Sequence, residues 1–311
     1  MNFLLTEMTF MKYFIPLIVE GNKRNINSKV FYNASHKYNC PVKNFDSLIS
    51  LSTQYNFEVD KITNVEGDDI IFMIEGCGVN FVSDKKNKKV SMSYMTDFHN
   101  SENNYINNVD YIIHPNKNLV KKLGSLSEKH LYLGVGKYDY LSQDRKYKKN
   151  SVVIFYPRLR DHTKMDLSII YGWLKELGYN IIVKSRGKDL VPNNLRGDEY
   201  YLDGEWYPNI SLDLLRDCDF IINFSSTTIK ECVMLNTPLI NFHIKPFPSI
   251  LGMLHNYDFC HDLNPNCSQT EFNNTVDKIQ SSDYTLDFKQ ARNDWLFEKG
   301  NVCKNILDTL L

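Results

Sequence analysis

The sequence predicts an α/β protein built as two tandem Rossmann-like domains. Three observations carry that expectation. At 311 residues the chain exceeds what one hydrophobic core usually organises. Short β-rich apolar runs alternate with amphipathic stretches, the pattern of parallel sheets covered by helices. That pattern lapses once, in the charged and aperiodic segment 139–150 with Asp144, Arg145, Lys146, Lys148 and Lys149, and then restarts in an apolar run at Ser151. The expected domains are therefore 1–140 and 151–285. Residues 286–311 form one or two closing helices that pack across both, because Phe288, Ala291, Trp295, Val302, Ile306 and Leu310 recur at helical intervals.

In the first half the apolar runs place strands at 13–19, 69–74, 90–95, 111–113 and 130–133, with helices near 46–55 and 118–123. In the second half strands fall at 151–156, 180–184, 220–224 and 238–242, separated by helices over 165–177, 212–217 and 227–235. Each strand ends in a polar or glycine-containing loop.

Composition narrows the function classes. Lys plus Arg number 36 against 37 Asp plus Glu, so the formal charge of -1 disfavours nucleic acid as the main partner. Seven cysteines form no C-x-x-C pair, so neither a disulfide framework nor a zinc site is expected, and a reducing cytoplasm suits the chain. No apolar run approaches the roughly 18–20 residues of a membrane helix, and no secretory leader is expected at the start. A peripheral membrane contact with a lipid-linked substrate stays open.

In open parallel sheets ligands bind beyond the carboxyl ends of the strands, which directs attention to the residues that follow each run. Ser225, Ser226, Thr227 and Thr228 follow the run 220–224 and open a helix; small hydroxyl residues there suit helix capping and backbone approach to a diphosphate. Glu231, one turn into that helix, suits a vicinal diol such as a ribose. Two basic corners join the same edge: Arg158 and Arg160 after 151–156, and Lys184, Arg186 and Gly187 after 180–184. Positive charge, N–H donors and a diol acceptor together describe a site for a nucleotide diphosphate.

These residues resemble a known family. The hydroxyl turn, the helix with Glu231 and the segment Leu235-Asn236-Thr237-Pro238-Leu239-Ile240 look like the donor-binding part of GT-B glycosyltransferases. In the first half, Tyr94-Met95-Thr96-Asp97-Phe98-His99, Val109-Asp110-Tyr111-Ile112-Ile113, Val120-Lys121-Lys122-Leu123-Gly124 and Leu131-Tyr132-Leu133-Gly134-Val135-Gly136 resemble glycolipid- and peptidoglycan-forming transferases of that fold. The second half is also similar to CDP-glycerol glycerophosphotransferases, and UDP-N-acetylglucosamine 2-epimerases share the architecture. The Gly-Gly that many relatives place before the turn is replaced by Asn223-Phe224-Ser225, and Asn236 stands where a Gly is common.

The resemblance implies two domains facing each other across a cleft, with a glycan or lipid-linked acceptor on the first and a nucleotide-sugar donor on the second. It implies a metal-independent transferase without a cofactor, with Ser226, Thr227 and Glu231 at donor positions. Rival readings are glycerol phosphate transfer, epimerisation and an inactive nucleotide-sugar-binding scaffold; no run of acidic residues followed by arginine, as in the epimerases, occurs in the first half.

Transfer with inversion needs a base on the first domain. Asp97 and His99, after the run 90–95, lead, since imidazole titrates near neutrality and a carboxylate can orient it. Glu75 and Glu20, each followed by Gly, compete with them, and His36 is a further candidate. Asp217-Cys218-Asp219 matches a metal-holding Asp-x-Asp but precedes a strand, and is expected to be a helix-to-strand turn. His243 and Lys245 follow the run 238–242 in a proline-containing loop.

Overall fold

The computed structural model describes residues 1–32, 42–62, 65, 69–82, 86–93, 108–115, 128–139, 150–157, 165–185, 191–202, 210–226, 228–244, 256–295 and 300–311. Two units contain them, Met1–Tyr140 with Trp295–Leu311, and Leu141–Asp294. Each unit is an open sheet of parallel strands with helices in the connections, so the fold is α/β with two Rossmann-like units.

In the first unit, seven strands run in the order β3-β2-β1-β4-β5-β6-β7. They are β1 (Asn2–Leu5), β2 (Lys29–Tyr32), β3 (Glu58–Lys61), β4 (Ile70–Ile74), β5 (Lys88–Met92), β6 (Tyr111–His114) and β7 (His130–Tyr132). Strands β1 and β4 are buried at every residue, as central parallel strands must be when both faces are covered. Phe3 stacks on Phe72 of β4 at 5.4 Å and meets Phe14 at 5.1 Å. Leu4, Ile71, Met73 and Ile112 pack together in a second cluster.

Phe14 lies on a helix, which corrects the strand expected at 13–19. The segment is α1 (Met11–Lys23), with Pro16 inside it. Tyr13, Phe14, Ile15, Pro16, Leu17 and Ile18 are all buried. A helix covered on nearly every side shows a continuous apolar run and no polar face, and such a run reads as a buried strand. The expected helix at 46–55 is α2 (Val42–Tyr55); the one at 118–123 lies outside the described residues.

The last helix of the chain buries Val302, Cys303, Ile306, Leu307 and Leu310, the three-and-four spacing of an amphipathic stripe. Arg24 after α1 reaches the Asp308 carboxylate at 2.8 Å and the Lys304 carbonyl at 3.2 Å. Lys88 donates to the Leu310 carbonyl at 2.6 Å, placing a cation on the negative end of the helix.

In the second unit, six strands run in the order β10-β9-β8-β11-β12-β13. They are β8 (Ser151–Phe155), β9 (Asn180–Ser185), β10 (Glu199–Leu202), β11 (Phe220–Asn223), β12 (Leu239–Phe242) and β13 (Cys260–Leu263). The helices are α3 (Leu167–Glu176), α4 (Ile210–Asp217), α5 (Ile229–Leu235), α6 (Gln269–Ser281) and α7 (Thr285–Trp295), and the chain closes with α8 (Val302–Leu310) in the first unit. One face of the sheet presents Val152, Ile154, Ile181, Val183, Ile222 and Ile240 to Ile170 and Leu174 of α3 and Phe272 and Val276 of α6. Strands β1, β2, β3, β10 and β13 and helix α6 have no counterpart in the sequence expectation. The edge strands β3 and β10 carry charged or half-buried side chains instead of an apolar run.

Candidate functional site

The strand order of the second unit fixes where loops can gather around a ligand. The chain lays down β8, β9 and β10 in one direction, then returns to place β11 on the other side of β8. That reversal between β8 and β11 is a topological switch point, where the exits of neighbouring strands diverge and leave a crevice. All the strands are parallel, so the segments after β8, β9 and β11 leave from one sheet edge. The hydroxyl turn and both basic corners follow those three strands.

At that edge the backbone of Ser225 takes the left-handed conformation, with φ of 49°. Its amide donates to Asn241 Oδ1 at 2.8 Å, and its Oγ is buried without a hydrogen-bond partner. Asn223 Nδ2 donates to the same Asn241 oxygen at 3.2 Å and to the Ser226 carbonyl at 3.4 Å. Ser226 and Thr228 are half-buried, and their hydroxyls lie 3.2 Å apart. The turn therefore departs from the expected serine cap. Thr228 begins the helix with helical φ and ψ and no side-chain cap, and α5 is only seven residues long, so its dipole adds little. The Ser225 amide points inward to Asn241, and among the described residues the amides of Ser226 and Thr228 meet no acceptor.

Glu231 sits in the first turn of α5, half-buried. Burial, followed by the Glu231 charge, pushes the neighbouring Cys232 thiol well above its ordinary pKa, so Cys232 is an inert core residue. The far end of α5 is held by a group that the sequence did not advertise. Asn236 takes φ of 57° at the helix end, and Arg292 of α7 donates to the Val233 carbonyl at 3.1 Å and to Asn236 Oδ1.

Lys184 lies inside β9 and not in the loop beyond it. It is 5% exposed, and its ammonium sits 5.9 Å from the centroid of the Phe155 ring, its register partner on β8. Its charge is thus held in the sheet edge beside the switch point. Arg158, Arg160, Arg186, Gly187 and Thr227 lie outside the described residues, as do Asp97, His99, His36 and Lys245. His243 is exposed. Asp217 ends α4 and accepts from Arg216 at 3.0 Å, while Asp219 accepts from the Ser151 amide at 3.0 Å; both close the turn between helix and strand.

The first sheet has its own switch point, between β1 and β4. Glu75 leaves β4 there, half-buried, with φ of 48°. The Glu75 amide donates to the Met92 carbonyl at 3.1 Å, and the Gly76 amide to Ser91 Oγ at 3.0 Å, so β5 fixes the turn. Gly78 closes it at φ of 93°, where a Cβ would come within 3.3 Å of the Leu4 side chain. Burial, then the Glu75 and Glu7 carboxylates, push the Cys77 thiol up. Glu20, by contrast, lies within α1. Burial opposes its ionisation, yet hydrogen bonds from Lys23 and Arg24 outweigh it and hold the carboxyl below its usual range, which removes Glu20 as a base at a strand end.

The chain aligns along 99% of its length with the wall teichoic acid polymerase TagF, at a TM-score of 0.64 and 14% identity over 86% of that chain. It aligns equally fully with the UDP-GlcNAc 2-epimerase of Methanocaldococcus jannaschii, solved with UDP-GlcNAc and UDP, at a TM-score of 0.61 and 13% identity over 98% of that chain. The fold is that of GT-B glycosyltransferases and their relatives. MurG of Acinetobacter baumannii matches at a TM-score of 0.57 and 10% identity, covering 99% of this chain and 98% of that one. No family model matches the chain, and no curated protein matches it in sequence. Within the GT-B fold of this chain, the two switch points present the exits of β1 and β4 in one unit and of β8 and β11 in the other. Among the described residues no helix is long and apolar enough to cross a membrane.

Proposed function

We propose that the chain is a GT-B-type transferase that moves a sugar from a nucleotide-sugar donor to an acceptor hydroxyl. The observation that carries the reading is the turn at Ser225–Ser226 on the switch point of the second sheet, with Glu231 one turn into the helix that follows. The M. jannaschii epimerase of the same fold was solved with a nucleotide sugar, which supports a donor of that class.

In this reading the amides and hydroxyls of Ser226 and Thr228, together with Thr227, meet the diphosphate, and Glu231 accepts hydrogen bonds from the ribose diol. The bond from the anomeric carbon to the phosphate oxygen breaks, and the nucleoside diphosphate leaves with its negative charge. Lys184 supports that charge from within the sheet edge, and Arg158, Arg160, Arg186 and the Gly187 backbone by contact. The acceptor oxygen bonds to the carbon and gives its proton to a base on the first unit. Glu75, which leaves β4, is a described carboxylate at a switch point; Asp97 and His99 are the other candidates. No step calls for a metal, so turnover is expected to survive chelation. The acceptor is a glycan or a lipid-linked glycan, and the reaction belongs to the cytoplasm.

A screen of UDP-, GDP-, TDP- and CDP-linked sugars and CDP-glycerol in chelator tests this reading. At least one donor raises the melting temperature, as binding to the folded state requires. It is then hydrolysed slowly without acceptor, and that hydrolysis is lost in Glu75→Gln or in Asp97→Asn while binding persists. Protection by CDP-glycerol alone would assign glycerol phosphate transfer instead, and binding without any turnover a scaffold.

A further inference from the structure

Three side chains tie the hydroxyl turn to the outer edge of the sheet. Asn223, Asn241 and Asp262 are register partners on β11, β12 and β13, so they share one face and lie side by side across the strands. Asn223 and Asn241 are fully buried, while Asp262 on the edge strand is exposed. Asn241 Nδ2 donates to Asp262 Oδ1 at 2.7 Å. An ionised carboxylate only accepts, so this bond dictates which end of the Asn241 amide faces β13 and which faces β11. The Asn241 oxygen is thereby turned toward β11, where both of its lone pairs are used: one by the Ser225 amide at 2.8 Å, the other by Asn223 Nδ2 at 3.2 Å.

The Ser225 bond is the consequential one. A non-glycine residue in the left-handed region is strained, because its Cβ crowds the neighbouring carbonyl oxygen. Here the amide that this conformation turns inward finds a fixed acceptor in Asn241. The same conformation sets the direction in which Ser226 and its amide leave the sheet.

We infer that Asn241, oriented by Asp262, is a positioning residue for the nucleotide-binding turn: it holds Ser225 left-handed and so aims the Ser226 and Thr228 donors at the diphosphate. This inference rests on the donor-site reading above. Neither Asn241 nor Asp262 touches the ligand in this account; both act through the Ser225 backbone.

The test exchanges donor and acceptor along the ladder. N241D sets a carboxylate against Asp262 and is expected to weaken binding of UDP, CDP or TDP, whichever the wild type binds, by about tenfold or more. D262A, at an exposed position, releases the Asn241 amide and is expected to weaken binding by about threefold. N241D/D262N rebuilds the bond with its polarity reversed and returns affinity to within about threefold of wild type. Hydrogen exchange at the Ser225 amide, measured without nucleotide, should quicken in N241D and slow again in the double variant. Wild-type affinity in N241D, or a double variant as weak as N241D, overturns the positioning role alone. A wild-type chain that binds none of the three nucleotides overturns the donor-site reading, and the positioning role with it.

Discussion

Ser225 concentrates the local conflict of the candidate site. Its left-handed φ and its buried, unpartnered Oγ both oppose stability, and the bond from its amide to Asn241 offsets them. Glycine relieves the first two and keeps the third, so Ser225→Gly should raise the stability of the second unit by about 1 kcal/mol in urea unfolding; a loss would show that the Oγ is needed. His261 makes a second residue-level prediction. Its Nε2 lies 2.9 Å from the Tyr284 hydroxyl, and burial, then the nearby Lys278 charge, push its pKa down to about 4. The unfolded chain takes up a proton near pH 6.5, the folded chain only near 4. This contribution is complete above pH 6.5 and is lost as pH falls toward 4. The melting temperature of His261→Gln should therefore fall less than that of wild type between pH 7 and 5; parallel curves would refute the assignment.

Among the elements, α5 is the one on which the donor site depends, and its far end is secured by Arg292 across 56 residues of sequence. Removing that guanidinium leaves the Val233 carbonyl and the Asn236 side chain without their donor, so Arg292→Met should cost about 1–2 kcal/mol in denaturant unfolding. In α8 apolar burial outweighs charge. Leu307 is fully buried, and Leu307→Ala should destabilise the first unit by about 2–5 kcal/mol. The Arg24–Asp308 pair is partly exposed on both sides, and Asp308→Asn should cost less than about 1 kcal/mol. The elements also show what a sequence can disclose. Helix α8 was legible because one face is apolar and the other polar. Helix α1 was not, because burial on nearly all sides erased the period that distinguishes a helix from a strand.

For the molecule as a whole, the alternation of strands and helices was legible and gave two Rossmann-like units, because central parallel strands must be apolar throughout. The edge strands β3 and β10 escaped notice since much of their surface faces water, whereas the edge strand β7 matches the strand expected at 130–133. The site was legible as far as local order reaches: a hydroxyl turn after a buried strand, then a glutamate. The link from Ser225 to Asn241 was not, because it depends on the pairing of β11 with β12, and no local pattern encodes that register. The cap expected of the hydroxyl residues 225–228 is absent at Thr228, which enters the helix with helical φ and ψ and makes no side-chain capping bond.

Calorimetric titration of the full chain with UDP, CDP and TDP in chelator, wild type beside Glu231→Ala, tests the central claim most directly. The account predicts saturable 1:1 binding of at least one nucleotide, weakened at least tenfold or abolished by Glu231→Ala. Silence from all three, or a Glu231→Ala variant that binds as tightly as wild type, would contradict it.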